Sequence, residues 1–170
     1  SQDDNHRERT DIAVAPGKLA AVWAANTGEG INLAQSTNGT SWLTTLHAPL
    51  AESYAWAPSV AYSGTLPMIA WTEGDAPTNA AAVQTVVQRD PGSVPRVVAS
   101  SLYGYPAPDL VIGRTGMHMV YAASTDGTDW SRGNLYYAHR YVTQTTWTAP
   151  TTVITHAQVL LPVATIGGVW

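Results

Sequence analysis

Aromatic and acidic side chains recur together at several places along the chain, and this combination suits the binding of a sugar. Aromatic rings offer an apolar face on which a sugar ring can stack, and carboxylates accept hydrogen bonds from sugar hydroxyl groups. The residues that would form such a site are Tyr54, Trp56, Glu73, Asp75, Tyr103, Tyr105, Asp109, Asp129 and Arg132. The same tyrosines and tryptophans could instead pack inside the fold, and the sequence leaves both interpretations open.

Other chemistries have little support in the sequence. The histidines His6, His47, His118, His139 and His156 are scattered, without the close pairs typical of zinc ligands. There is no cysteine, and no nucleophile elbow, phosphate-binding loop or dinucleotide fingerprint is present. We therefore expect neither a cofactor nor a bound metal.

The composition excludes several classes of partner. The chain has 170 residues, a net charge of −4 and a single lysine, Lys18. It has no cluster of basic residues of the kind that nucleic-acid binding requires. No apolar run reaches the ~20 residues that span a bilayer, so we expect neither nucleic acid nor a membrane span. Only 12% of the residues are charged, and β-branched residues are common, which favours strands over amphipathic helices.

An internal repeat organises these residues. The stretches Thr10–Trp23, Pro58–Trp71 and Pro108–Tyr121 align with one another, and a fourth copy starts at Pro162. Each combines an alternating strand, a turn with glycine and a second alternating strand, which is the pattern of a β-hairpin. A repeat of about 50 residues with four strands is typical of a propeller blade.

The rest of each repeat supplies two more strands, so the sequence predicts an all-β fold without helices. The third and fourth strands are expected at 31–36 and 43–49, 81–88 and 95–100, and 134–141 and 151–156. We predict a β-propeller segment of about three four-stranded antiparallel blades plus the first strand of a fourth. The expected divisions are a polar tail at 1–9, blades at 10–57, 58–107 and 108–161, and the extra strand at 162–170. In a propeller, the loops before the first strand and after the second share one end of the channel, and there the candidate ligand residues would meet.

The connection between the third and fourth strands of the first blade, STNGTSW at Ser36–Trp42, resembles the Asp box of BNR-repeat proteins. In such a turn the Asn or Asp side chain accepts backbone N–H groups, and glycine adopts a positive φ. We expect Ser36, Asn38, Gly39 and Trp42 to be structural, with the Trp42 ring folded over the hairpin and buried.

A second copy, STDGTDW at Ser124–Trp130, falls between the second and third strands of the third blade. We expect Ser124, Asp126, Gly127 and Trp130 to staple that loop, at the end of the sheet opposite the first box. The alternative is that Asp126, Asp129 and Arg132 line the rim of a ligand site.

These boxes and the blade repeat resemble the Asp-box, sialidase-like β-propeller family. Members of this family are mostly secreted, so the resemblance implies a protein that is extracellular or at the cell surface. It also implies that the boxes lie on the face opposite the ligand. Sialidases in this family bind the substrate carboxylate with three arginines and use a Tyr–Glu pair and an Asp. The Phe/Tyr-Arg-Ile-Pro motif is absent here, and no catalytic residue can be transferred.

We therefore expect a non-catalytic module that binds a glycan or protein partner or builds a surface assembly. It would be completed by further propeller blades or by other copies of the chain. The alternative is a fragment of a sialidase-like glycoside hydrolase.

Overall fold

The computed structural model describes residues 9–25, 30–50, 54–75, 83–104, 106–124, 133–141 and 143–157. Within these ranges the chain forms three four-stranded antiparallel sheets, each with its strands in sequence order, and no helix. The predicted all-β propeller architecture is therefore confirmed. No helix long and apolar enough to cross a membrane occurs in the described ranges.

The strands follow one another along the chain as three meanders. The first sheet contains β1 (Asp11–Ala15), β2 (Lys18–Ala24), β3 (Ile31–Ser36) and β4 (Leu43–His47). The second contains β5 (Tyr54–Ser63), β6 (Leu66–Gly74), β7 (Gln84–Arg89) and β8 (Arg96–Leu102). The third contains β9 (Asp109–Ile112), β10 (Gly116–Ala123), β11 (Gly133–Tyr141) and β12 (Thr151–Ala157).

Alternation at period two builds each sheet and decides which face it buries. In the first sheet Val22 and Leu33 are direct cross-strand partners, and both point toward the second sheet. Ile12 and its partner Ala21 point the other way. Gly17, with a φ of 67°, makes the tight turn from β1 to β2, a backbone conformation that other residues adopt only with strain.

The three first strands lie side by side, as the inner strands of neighbouring propeller blades do. β5 packs against both β1 and β9. One apolar core lies between the first two sheets and includes Val22, Ile31, Ile69 and Trp71. A second core lies between the second and third sheets. Its members include Val86, Leu102, Met119, Tyr121 and Ala138.

The inner strand of the second sheet is longer than the repeat indicates. It begins at Tyr54, ahead of Pro58, because a bulge between Trp56 and Ser59 carries the strand past the proline. Ala57 adopts a φ of 49° in this bulge, and the irregular pairing there accommodates a residue that has no N–H to donate. Tyr54 and Trp56, expected in a loop, therefore lie within a strand.

Candidate functional site

Three polar residues occupy the same position in the inner strands of the three sheets. Asp11, Ser59 and Asp109 lie at equivalent places in the aligned repeats, and the structure brings all three together. With Arg9 they form what we call the axial cluster, at the end of the sheets where β1 and β9 begin. Because each inner strand contributes one member, the packing of β1, β5 and β9 sets the geometry of the cluster.

The Ser59 hydroxyl is the centre of this cluster. Its oxygen lies 3.0 Å from Asp11 Oδ2 and 3.2 Å from Asp109 Oδ1, and it accepts the Leu110 N–H at 3.1 Å. A hydroxyl has one proton to donate, so Ser59 donates to one carboxylate at a time. Ser59 and Asp109 are both buried.

A regular pattern of hydrogen bonds joins neighbouring inner strands here. The carboxylate of Asp11 accepts the N–H of Val60 at 2.9 Å, and the hydroxyl of Ser59 accepts the N–H of Leu110. Each side chain thus binds the backbone of the next sheet, one residue past the equivalent position. We call these two bonds the axial rungs.

Arg9 brings one positive charge to the cluster and pairs with one of its two carboxylates, although the sequence interpretation placed it in a polar tail. Its Nη2 lies 3.1 Å from Asp109 Oδ1, and its Nη1 donates to the Pro108 carbonyl at 3.4 Å. The aligned position of Asp11, Ser59 and Asp109 was the signal that could have revealed the cluster. No spacing in the sequence links Arg9 to Asp109.

Glu73, a candidate ligand carboxylate, binds groups of the fold itself. Its Oε1 accepts the indole N–H of Trp71 at 2.8 Å and the backbone N–H of Leu50 at 2.7 Å. The residue is buried, and it ties the segment after β4 to the second sheet. The neighbouring Thr72 hydroxyl donates to the Pro106 carbonyl. At this end of the second sheet, Glu73 therefore holds the segment after β4, and Thr72 holds the segment before β9.

The candidate aromatic residues separate into buried and exposed ones. Trp56 is only 2% exposed and packs with Ala57 and Ala107, which fits the packing alternative. Tyr54, at the start of β5, is 44% exposed. Tyr103 is half-buried, and its backbone pairs with that of Ser124, which is buried.

One further candidate is exposed, and the other candidates are not covered by the described part of the chain. Asp75 is exposed directly after β6, at the same end of the second sheet as Tyr54. Tyr105, Asp129 and Arg132 lie outside the described residues, as do Asp126, Gly127, Trp130 and the strand expected from Pro162. Of the nine candidates, Tyr54, Asp75 and Tyr103 therefore retain accessible surface among the described residues.

Comparison with known proteins supports the fold but does not place the chain in a sequence family. No protein-family model and no curated protein matches the sequence. Among solved structures, Penicillium chrysogenum α-L-arabinanase complexed with arabinobiose matches 90% of this chain and 51% of its own length. The identity is 12% and the TM-score 0.63.

Two further structures match over a similar part of the chain. Xylan β-1,4-xylosidase from Bacillus halodurans is 13% identical with a TM-score of 0.60, covering 89% of this chain and 32% of that one. Trypanosoma rangeli sialidase in complex with the inhibitor DANA is 11% identical with a TM-score of 0.57, covering 84% and 30%. The chain folds as β-propeller blades. It spans about half or less of the structures it matches.

The Ser36–Trp42 hairpin of the first blade lies at the end opposite the axial cluster and carries the hydrogen bonds expected of it. Asn38 Oδ1 accepts the N–H groups of Thr40 and Ser41, each at 2.9 Å. Ser36 Oγ accepts the N–H of Gly39 at 2.9 Å, and Gly39 has a φ of 73°. The turn is therefore held by side chains within its own seven residues.

The expectation that the Trp42 ring is buried is wrong. Its indole N–H donates to the Gly39 carbonyl at 3.3 Å, as a stapling residue would, yet the side chain is 42% exposed. The reason is the position of β4, the outermost strand of the blade, whose Leu43 and Leu46 are also exposed. The ring covers the turn on one side and leaves the other side open.

Proposed function

We propose that the chain is a segment of an extracellular, non-catalytic β-propeller module that binds a glycan beside the axial cluster. The single observation that carries this proposal is that some acidic and aromatic residues at that end bind the fold, whereas others face solvent. The buried carboxylate of Glu73 and the half-buried carboxylate of Asp11 accept hydrogen bonds from the fold. Tyr54 and Asp75 instead present an aromatic ring and a carboxylate to solvent. The matched structures include a xylan β-1,4-xylosidase and an α-L-arabinanase complexed with arabinobiose, which supports a glycan as the ligand.

The engagement of the acids argues against hydrolysis. A glycosidase pair needs one carboxyl to protonate the leaving oxygen and another to attack or to activate water. Asp11 Oδ2 accepts from Ser59 and Val60, and its Oδ1 accepts from Ile12. Asp109 binds Arg9. Asp11 holds β5 through the Val60 N–H, and Asp109 is paired with Arg9, so moving either carboxylate to react would break these bonds.

Binding at this end is tested with Tyr54→Ala. We would measure saturation-transfer NMR on the 170-residue chain with the neutral oligosaccharides of arabinan and xylan. Loss of a stacking ring should weaken the bound sugar about tenfold. Tyr141→Ala is the matched control, because Tyr141 is 46% exposed but ends β11 at the opposite end. Unchanged affinity in Tyr54→Ala, or an equal loss in Tyr141→Ala, would contradict this site.

A second candidate function, glycoside hydrolysis, is favoured by one feature: two carboxylates, from Asp11 and Asp109, lie within hydrogen-bonding distance of one hydroxyl. The test is release of reducing sugar from the same polysaccharides and turnover of a fluorogenic sialoside. We expect neither. Turnover that disappears in Asp109→Asn while the circular dichroism spectrum is unchanged would replace binding by catalysis.

Further blades of the same propeller complete the site in our proposal, with other copies of the chain as the alternative. On the face of the first blade that points away from the second, Ile12 is 61% and Val14 71% exposed. Aliphatic side chains in a row on an inner strand are normally covered by the next blade. Light scattering on the isolated chain should therefore show association. A monodisperse monomer that unfolds in one cooperative transition would contradict it.

A further inference from the structure

A groove of about 430 Å³ opens between the first and second blades, at the end opposite the axial cluster. The first blade contributes Lys18, Gln35, Ser41 and Trp42, and the second contributes Tyr62 from the end of β5. The two walls of the groove are therefore formed by the first and second blades of this chain. Its volume falls in the range of small-molecule sites.

Three side chains in this groove have surfaces or polar atoms that the fold does not use. Trp42 leaves part of its ring exposed, as described above. Lys18 is the only lysine of the chain, and it forms no ion pair with any described residue. The Tyr62 hydroxyl is buried without a hydrogen-bond partner in the described part of the chain. A buried hydroxyl without a partner costs free energy. Because Tyr62 lines the groove, a ligand that displaces the atoms covering its hydroxyl can supply the missing hydrogen bond.

We propose that this groove is a second binding site, specific for a saccharide that carries a carboxylate. The sugar stacks an apolar face on Trp42, while its carboxylate meets the ammonium of Lys18. The Gln35 amide, the Ser41 hydroxyl and the Tyr62 hydroxyl supply hydrogen bonds to ring and hydroxyl oxygens. This site is independent of the one proposed beside the axial cluster.

The charge of the groove favours a single carboxylate over more strongly charged groups. One ammonium and no guanidinium line it, whereas phosphate recognition usually recruits the paired donors of arginine. Burial raises the pKa of the Tyr62 hydroxyl above its usual value. The hydroxyl therefore stays protonated at neutral pH and can donate to an anionic or ether oxygen.

The test compares two sugars that differ only in one acid group, galacturonic acid and neutral galactose, binding to the full chain. We expect the acidic sugar to bind more tightly. Trp42→Ala should weaken both sugars about tenfold, as loss of a central aromatic contact does. Lys18→Gln should remove the preference for the acid and leave the neutral sugar unaffected.

Tyr62→Phe separates a ligand contact from a merely unsatisfied hydroxyl. It should weaken the acidic sugar a few-fold and at the same time raise the melting temperature, because a buried polar atom without a partner is removed. The matched cation control is Arg114→Gln, an exposed charge in the β9–β10 turn. It should change neither affinity nor selectivity.

The proposal is overturned if neither sugar binds, if Lys18→Gln leaves the preference for the acid intact, or if Trp42→Ala binds normally. It is also overturned if Tyr54→Ala, at the axial end, abolishes binding of the acidic sugar. Tyr54→Ala with unchanged affinity supports a separate site. A failed axial site and a failed groove therefore give different results.

Discussion

The first and second blades connect their third and fourth strands at the same end of the propeller but by opposite means. In the first blade, the Ser36–Trp42 hairpin is held by hydrogen bonds that span at most three residues. In the second, the turn after β7 uses Asp90, which binds Arg96 after the turn and Arg140 from the third blade. The connection in the first blade is held by bonds within its own residues, whereas the one in the second blade includes a hydrogen bond to a residue fifty positions away.

The Asp90 connection is also the more buried of the two. Arg140 is 5% exposed and donates to the Gln144 carbonyl at 3.1 Å as well as to Asp90. Asp90 accepts a further bond from Gln88 at 2.9 Å. A buried guanidinium needs such partners, because an unpaired charge inside a protein is costly.

The difference shows how a turn can shape the space between blades. The polar groups of the Ser36–Trp42 hairpin bond to one another, and the neighbouring space between the first and second blades stays open as a groove. Asp90, in the corresponding turn of the second blade, forms an ion pair with Arg140 of the third blade, and this pair bridges the space between those two blades. The same topological position therefore serves either as the border of a binding site or as a clamp between blades.

Breaking the clamp should have the largest effect. Asp90→Asn leaves the buried Arg140 without its anionic partner, and we expect a loss of about 2–4 kcal/mol in the free energy of unfolding. Urea denaturation followed by circular dichroism measures it. Asp75→Asn, which changes an exposed aspartate, should stay within about 0.5 kcal/mol of wild type. Equal effects of the two variants would mean that Asp90 is not a clamp.

Acid should weaken the same contact by a smaller amount. Burial alone would raise the pKa of Asp90, but hydrogen bonds from Gln88 and Arg96 and the charge and hydrogen bond of Arg140 outweigh it, so the pKa lies below its usual value. Its stabilisation is therefore complete above the unfolded pKa of about 3.9 and disappears as the pH falls through the folded pKa.

The measurement is the free energy of unfolding from neutral pH down to the acid limit of folding. Wild type should lose more stability than Asp90→Asn below about pH 4, where the unfolded aspartate takes up its proton. The two curves should run parallel above about pH 5. Parallel curves over the whole range would show that Asp90 has the same pKa in both states.

Trp42→Ala should cost less than an ordinary core tryptophan. Full burial would make truncation worth about 3–5 kcal/mol, but a ring that is 42% exposed should lose only about 1–2 kcal/mol. Thermal unfolding monitored by circular dichroism gives the value. A loss as large as that of Trp71→Ala, whose ring is completely buried, would mean that the hairpin packs against another part of the protein.

The smallest effect belongs to the turn itself. Asn38→Ala removes the acceptor of two exposed backbone N–H groups, which water can replace, so we expect a loss of about 1 kcal/mol. Asn38→Asp keeps the acceptor and should be nearly neutral in the same denaturation experiment. If alanine were neutral as well, the side chain would contribute nothing to holding the turn.

Local patterns in the sequence predicted much of the fold. Alternation and turn glycines located β3 at Ile31–Ser36, and the hairpin motif predicted the bonds of Asn38. The predictions that failed depend on contacts between distant segments. Nothing near Glu73 indicates that Leu50 will donate to it. The exposure of Trp42, by contrast, follows from the predicted strand order, because the fourth strand that it precedes lies at the edge of the blade.

The candidate site was harder to predict for the same reason. The sequence predicts Asp109 as a ligand residue, but its partners lie far from it in the chain: Ser59 is in the second repeat, and Arg9 is in the polar tail ahead of the first. Pro58 suggested a strand start that the bulge at Ala57 overrides. Side-chain roles at the axial end are fixed by the packing of inner strands, which sequence spacing does not record.

The axial rungs give the array a direction. Asp11 precedes Val60 by 49 residues and Ser59 precedes Leu110 by 51, so in each rung the acceptor comes earlier in the chain than the donor. The first and second blades therefore each offer an acceptor to the backbone of the inner strand that follows. The position of β5 depends on β1 and that of β9 on β5, so a shift of one inner strand would pass to the next.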